Sequence, residues 1–322
     1  MCIHSGRVRR YRSSRLALGA LAVLTCVAGP LLAQRKAAAR HRVAQGPDIA
    51  ALQAACTAGK SASCTSMAWL LMEGKLIPAD TTRATGFLER ACRAGSAREC
   101  GQTAWILREG RGVHADTSRA FALFTTGCER GDAKSCTSLG YMYETGTGIT
   151  RDPGQATTYY DRACKVGDPR GCANLGSMSD SGLTIGTDAA HSTALLAKAC
   201  TARISSACSN LGAKFESGRG VSKNARRAAT LYTRACQNAE LMACVNLGKL
   251  IAERGGVRAD SVRAAGLFRQ ACEGGVGVGC WNLAIAHRQG IGVPIDSARA
   301  RALFAKACTL KYSEACPRAK QL

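Results

Sequence analysis

From Cys136 the chain reads CTSLGYMYETGTGITRDPGQATTYYDRAC, and its apolar positions follow a helical period. Leu139, Gly140 and Tyr143 fall on one face at helical spacing, which predicts a first helix. Gly-Thr-Gly at 146–148 ends it. Asp152 before Pro153 is an N-cap followed by a first-turn proline, and it opens a second helix that carries Ala156, Tyr159, Tyr160 and Ala163 towards a core. The pattern returns every 36 residues. Its capping position reads Asp80, Asp116, Asp152, Asp188, Asn224, Asp260 and Asp296. A small residue on the first helix reads Ala68, Ala104, Gly140, Gly176, Gly212, Gly248 and Ala284. A large apolar position on the second reads Leu88, Phe124, Tyr160, Leu196, Tyr232, Phe268 and Phe304. One helix pair cannot bury its apolar stripe alone, so the units must stack into a continuous core. The expected fold is all-α, an α/α solenoid of about seven 36-residue repeats over residues 48–322. Residues 48–55 (DIAALQAA) read as the second helix of an incomplete leading unit, and PRAKQL after Cys316 as a frayed closing stub.

Two cysteines bracket every junction. Cys56 pairs with Cys64, Cys92 with Cys100, Cys128 with Cys136 and Cys164 with Cys172, all at one spacing. Cys200 with Cys208, Cys236 with Cys244, Cys272 with Cys280 and Cys308 with Cys316 continue the series without a slip. Within one helix eight residues rise about 12 Å, whereas a disulfide needs Cα atoms within roughly 7 Å. Bonded cysteines therefore require a chain reversal between them, and Gly131-Asp132, Gly167 to Pro169 and Gly274-Gly275 supply turn-forming residues. Structural zinc would pair cysteines more closely, and no histidine recurs with the repeat, so no metal is expected. Reduced core cysteines would leave the persistence of both members of each pair unexplained. The expectation is one disulfide per repeat, clipping the end of one unit's second helix to the start of the next unit's first. Closing so short a loop stabilises by roughly 2–3 kcal/mol in the chain-entropy model. With only 5% aromatic residues, the interfaces between units are small enough to need such clips.

Disulfides call for an oxidising compartment. Arg7, Arg9, Arg10, Arg12 and Arg15 precede the apolar run LALGALAVLTCVAGPLLA from Leu16 to Ala33, so residues 1–33 read as a signal peptide. A membrane anchor would sit at the lower length limit for a spanning helix and is interrupted by Gly and Pro. A lipid anchor at Cys26 ranks last, because Thr25 fits a lipoprotein box poorly. Cys2 and Cys26 would leave with the signal, and the remaining cysteines are even in number. The protein is expected to be exported, either periplasmic or secreted.

Charge adds a bound. Removing the signal arginines takes the formal charge from +22 to +17, and removing Arg35, Lys36, Arg40 and Arg42 of a disordered basic lead-in (34–47) takes it to +13. No basic stretch is interleaved with regularly spaced aromatics, so nucleic acid is not an expected partner. Arginine on solvated helix faces is the ordinary explanation, with an anionic cell-envelope surface as a weaker use.

The stretches LGYMYETGTGITRDPGQAT and LGAKFESGRGVSKNARRAATLYTRAC resemble Sel1-like repeats, relatives of the tetratricopeptide repeat. With a C-x7-C in every unit, the chain resembles the exported cysteine-rich Sel1-like proteins of the Helicobacter group. Two loops depart from the pattern: SDSGLTIG replaces the Gly-x-Gly ending in the fourth repeat, and Arg254 replaces its first glycine in the sixth. The resemblance implies a scaffold that binds a protein or peptide in a concave groove, and the protein is expected to be a monomer. It also implies an alternative, β-lactam binding or a weak β-lactamase-type, cell-wall-directed hydrolase. The residues do not supply that chemistry: the chain has no Ser-x-x-Lys, no Lys-Thr-Gly and no His-Glu-x-x-His. No catalytic residue and no cofactor are expected.

Two rows on the first helices are the binding candidates. The residue two after each unit's second cysteine reads Ser66, Gln102, Ser138, Asn174, Asn210, Asn246 and Asn282. Asparagine is a poor helix former, so four in succession need a reason. Either the amides satisfy turns and helix ends between repeats, or they hydrogen-bond an extended peptide backbone. Three residues further on stand Trp69, Trp105 and Tyr141, followed in later units by Ser177, Ala213, Lys249 and Ile285. Packing is the commoner use of such rings. If they face the groove, the N-terminal half is an apolar platform and the C-terminal half a polar one.

Overall fold

The computed structural model describes residues 47–180, 182, 188–252 and 257–321. The expected signal peptide (1–33), the expected basic lead-in up to residue 46, most of the SDSGLTIG loop and Arg254 lie outside the described residues. From Ile49 onward the described residues form sixteen helices and no strand. The leading half-unit is α1 (Ile49–Thr57). Seven helix pairs follow: α2 (Ser61–Glu73) with α3 (Thr81–Arg93), α4 (Ala97–Glu109) with α5 (Thr117–Glu129), α6 (Ala133–Thr145) with α7 (Pro153–Val166), and α8 (Pro169–Asp180) with α9 (Ala189–Thr201). The series continues with α10 (Ser205–Ser217) and α11 (Ala225–Gln237), α12 (Leu241–Ala252) and α13 (Ser261–Glu273), and α14 (Gly277–Gln289) and α15 (Ser297–Thr309). A short helix, α16 (Ala315–Gln321), forms the closing stub.

Each junction follows one backbone plan. At the end of α5 the Asp132 amide donates to the Gly127 carbonyl at 2.9 Å and the Gly131 amide to Cys128 at 3.0 Å. Gly131 has φ of +91°, so this is a Schellman ending, which satisfies the helix's last carbonyls and reverses the chain. Asp132 then caps α6 by accepting from the Ser135 amide at 2.9 Å. The reversal brings Cys128 and Cys136 to a Cα separation of 4.7 Å. The other expected pairs are bonded in the same way. Cys56 joins Cys64, Cys92 joins Cys100, Cys164 joins Cys172 and Cys200 joins Cys208. Cys236 joins Cys244, Cys272 joins Cys280 and Cys308 joins Cys316. Across all eight bridges the Cα separations run from 4.4 to 4.9 Å. The left-handed residue of the turn is glycine at 59, 95, 131, 167 and 275, but Arg203, Ala239 and Lys311 hold it in three units at φ of +67°, +63° and +63°.

Every second helix in the seven pairs starts at its expected cap. Asp80, Asp116, Asp188, Asn224, Asp260 and Asp296 each accept from the amide three residues on, and Asp152 from Gly154 and Gln155. The core lies between the two helices of a pair, where the small row meets the large row. A Cβ placed on Gly140 would stand 2.5 Å from the Tyr160 ring, and one on Gly248 would stand 2.6 Å from Phe268. Glycine thus gives up helix propensity for close approach, and the ring fills the space. Leu88 and Phe124 share their buried clusters with Ala68 and Ala104 in the same way. Each such large side chain contributes roughly 1.5–3 kcal/mol by burial. First helices of consecutive units touch directly from α4 to α14, whereas among the second helices only α1 and α3 make comparable contact. From α4 onward the first helices therefore line the inner side of the stack.

A candidate binding groove on the first helices

On α2 the side chains of Cys64, Met67, Ala68 and Leu71 are buried, which leaves Ser66 and Trp69 on the opposite stripe. The same registration holds on α4 and α6. Trp69, Trp105 and Tyr141 are 46%, 38% and 46% exposed, whereas Phe124 and Tyr160 of the second helices are buried. The three rings are not core residues. In the later units Ala213 and Lys249 of this row are exposed, and Ser177 and Ile285 are half-buried.

The rings border two adjoining depressions. One, of about 670 Å³, is lined by Trp69, Met72, Gln102, Trp105 and Ile106, with Leu88 and Phe124 beneath. The other, of about 560 Å³, is lined by Arg108, Ser138, Tyr141, Asn174, Ile204 and Ser206. They share Thr137, Ser138 and Arg170, so together they cross the first helices from α2 to α10. The Arg111 guanidinium lies 4.0 Å from the Trp105 ring centroid, and Arg108 lies 5.9 Å from both Phe124 and Tyr141. Arg108 also pairs with Glu109 at 2.8 Å.

The asparagine row divides. Asn174 lines the groove. Asn210 is exposed and donates to the Ser177 hydroxyl of the preceding unit at 2.9 Å. Asn246 is half-buried, and Asn282 has a buried Nδ2 with no hydrogen-bond acceptor. The structure therefore brings Trp69, Trp105, Tyr141 and Asn174 together, while Asn210, Asn246 and Asn282 continue the row beyond the two depressions.

Behind the groove, Tyr160 donates to Glu144 at 2.6 Å, and Tyr232 donates to Glu216 at 2.6 Å two units later. Burial, then the hydrogen bond to Glu144 and its charge, push the Tyr160 phenol well above the ordinary tyrosine range, with the Asn174 amide pulling the other way. Burial and Glu216 push Tyr232 in the same direction. These pairs brace the two helices of their units.

One feature of the groove escaped the sequence reading. Arg98, Lys134 and Arg170, all exposed, line its edge at the second residue of α4, α6 and α8. The 36-residue step that exposed the other rows would have exposed this one. Among the described residues no group of three His, Cys, Asp or Glu side chains is placed to hold a metal ion.

A stack of disulfide-clipped helix pairs with a side-chain-lined inner face is a helical-repeat scaffold. The Sel1 repeat matches residues 61–96, 100–132, 133–168, 169–203, 205–239, 241–276 and 277–312. The chain belongs to the Sel1-repeat family, whose fold serves protein interaction. No curated protein matches it in sequence. Among solved structures, c5321, a protective antigen present in uropathogenic Escherichia coli strains, superposes with a TM-score of 0.72 at 20% identity, over 83% of this chain. The match spans 57% of that antigen's length. A Sel1 repeat protein from Oxalobacter formigenes gives a TM-score of 0.60 at 19% identity, over 66% of this chain and 85% of its own. At these identities the likeness shows the fold alone. Helicobacter pylori cysteine rich protein B is 22% identical over 53% of this chain and 97% of its own, with a TM-score of 0.26 that is too low to bear on the fold.

Proposed function

We propose that the protein is an exported, disulfide-clipped scaffold that binds an extended peptide segment of a protein partner on its first helices. The observation that carries this reading is the strip of three exposed rings, Trp69, Trp105 and Tyr141, in three successive units. Large aromatics left in water on one continuous face mark an interaction site, because packing them would have been worth more to the fold. The asparagines beside and beyond them supply donors and acceptors that match an extended backbone, which offers both. Export is supported by the arginine-rich start with its apolar run and by eight bonded cysteine pairs, which persist only where the surroundings are oxidising.

Selection of displayed dodecamer peptides against the oxidised protein tests the binding. Selected peptides should lose affinity by tenfold or more in Trp69→Ala/Trp105→Ala, about 1.4 kcal/mol, with an unchanged melting temperature. A selection that enriches nothing, or peptides indifferent to the two tryptophans, would overturn the reading. Fusion of residues 1–47 to alkaline phosphatase, active only outside the cytoplasm, tests the export. An inactive fusion would remove that part.

A further inference from the structure

Arg98, Lys134 and Arg170 occupy one position in three consecutive repeats, the second residue of α4, α6 and α8. The same position carries Ala62 in the unit before and Ser206, Met242 and Val278 in the units after, so the charge is confined to α4, α6 and α8, of which α4 and α6 also carry Trp105 and Tyr141. Local stability does not explain it. The first turn of a helix carries the positive end of its dipole and favours acids, so cations there are misplaced. Among the described residues none of the three joins an ion pair. The acids nearby are already engaged by the fold: Asp132 accepts from the Ser135 amide, and Asp168 accepts from the Thr137 hydroxyl at 2.5 Å and the Arg170 amide at 3.2 Å. Three solvated cations set against the helix dipole, on the edge of an open groove, are a charge pattern that a ligand completes.

We propose that this half of the groove takes an acidic segment of a protein partner, whose carboxylates pair with Arg98, Lys134 and Arg170 while its apolar side chains lie on Trp69, Trp105 and Tyr141. The inference rests on the peptide-binding reading above and specifies the partner's chemistry. The spacing sets a further condition. Packed helices lie about 8–10 Å apart, and three residues of extended or polyproline-like chain cover about 9–10 Å. The carboxylates therefore recur at three-residue steps. Along each helix, Arg98 precedes Trp105 and Lys134 precedes Tyr141 by two turns, about 10 Å, so the acidic and apolar edges of the segment run side by side. Gln102 and Ser138 lie between the two edges on the same helix face, where they reach the segment's backbone.

The displayed library decides it, with full-length oxidised protein as bait. Peptides selected on the wild type should be rich in Asp and Glu at three-residue intervals. Their affinity should fall about tenfold in Arg98→Gln/Lys134→Gln/Arg170→Gln, and by less in each single variant, while the melting temperature holds. Selection on the triple variant should lose the acidic bias. Peptides that enrich without charge bias, yet still depend on Trp105, would overturn this inference and leave the groove's peptide binding intact. A library that enriches nothing fails at the earlier step. Heparin bound through the three cations, with no acidic bias among peptides, would reassign the edge to an anionic polysaccharide and overturn the proposal.

Discussion

Lys214 on α10 reaches back across a unit junction to Asp180 at the end of α8, with its Nζ 2.6 Å from the carboxylate. The lysine side chain is only 3% exposed and the aspartate 25%. Other units hold Leu70, Ile106, Met142, Met178, Leu250 and Ala286 at the lysine's position, so this ion pair occurs once in the repeat series. The Ser192 hydroxyl also donates to Asp180 at 2.9 Å. The two partners are therefore unequal. Asp180→Ala strands a buried ammonium and should cost about 3–5 kcal/mol, whereas Lys214→Met restores the family of apolar residues and should cost about 1 kcal/mol or less. Urea unfolding of the oxidised protein measures both. Equal losses would mean that the pair acts only as a contact between helices.

The junction turns offer a gain in stability. Ala239 is held at φ of +63°, where glycine stands in five of the other junctions. A Cβ is disfavoured there by roughly 1–2 kcal/mol. Ala239→Gly should raise the melting temperature, by an amount equal to about 1 kcal/mol once the glycine's extra freedom when unfolded is subtracted. An unchanged or lower melting temperature would show that the turn is not strained.

Gly140 and Gly248 should behave in the opposite way. Alanine is the better helix former, but its methyl would enter the ring of Tyr160 or Phe268. Gly140→Ala should cost about 1–3 kcal/mol through overpacking. A companion Tyr160→Leu, the residue that Leu196 supplies in the next unit, should recover part of the loss in the double variant. Additive losses in that double variant would count against the contact.

Tyr160 and Tyr232 predict an alkaline limit. Their folded-state pKa values lie above the unfolded value near pH ~10, so the folded chain keeps protons that the unfolded chain releases. The stability they contribute is complete below the unfolded pKa and is lost as pH rises beyond it. Each tyrosine should remove up to about 1.4 kcal/mol per pH unit in that range. Tyr160→Phe/Tyr232→Phe installs the side chain that Phe268 and Phe304 already supply at the same position. It should flatten the slope when urea midpoints are followed from neutral to alkaline pH. An unaltered slope would assign the alkaline loss to other groups.

The features set by local rules were legible in the sequence. The seven caps, the pairing of small and large rows, and the eight bridges each depend on one unit or one junction, and a step of 36 residues exposes them all. Which way a surface row faces was not legible. Trp69 and Tyr159 both fall at helical spacing from core residues, yet Trp69 opens onto the groove and Tyr159 stacks on Tyr143 with centroids 5.5 Å apart. Only the packing of neighbouring units separates these two outcomes. The double use of the asparagine row was hidden for the same reason, since Asn210 finds Ser177 only after two units have stacked. The Lys214–Asp180 pair was hidden because it breaks the repeat that made everything else visible.

The bridges also change what a cut in the chain would mean. Lys60, Arg98, Arg130, Lys134, Arg170, Arg203 and Lys311 all lie between two bonded cysteines, in or beside the exposed hairpin turns. A trypsin-like protease that opens one of these hairpins produces two chains that remain joined through sulfur, with the helices on either side still stacked. The solenoid can be nicked at several exposed lysines and arginines and stay in one piece, and its fragments separate only when a reductant reaches the junction.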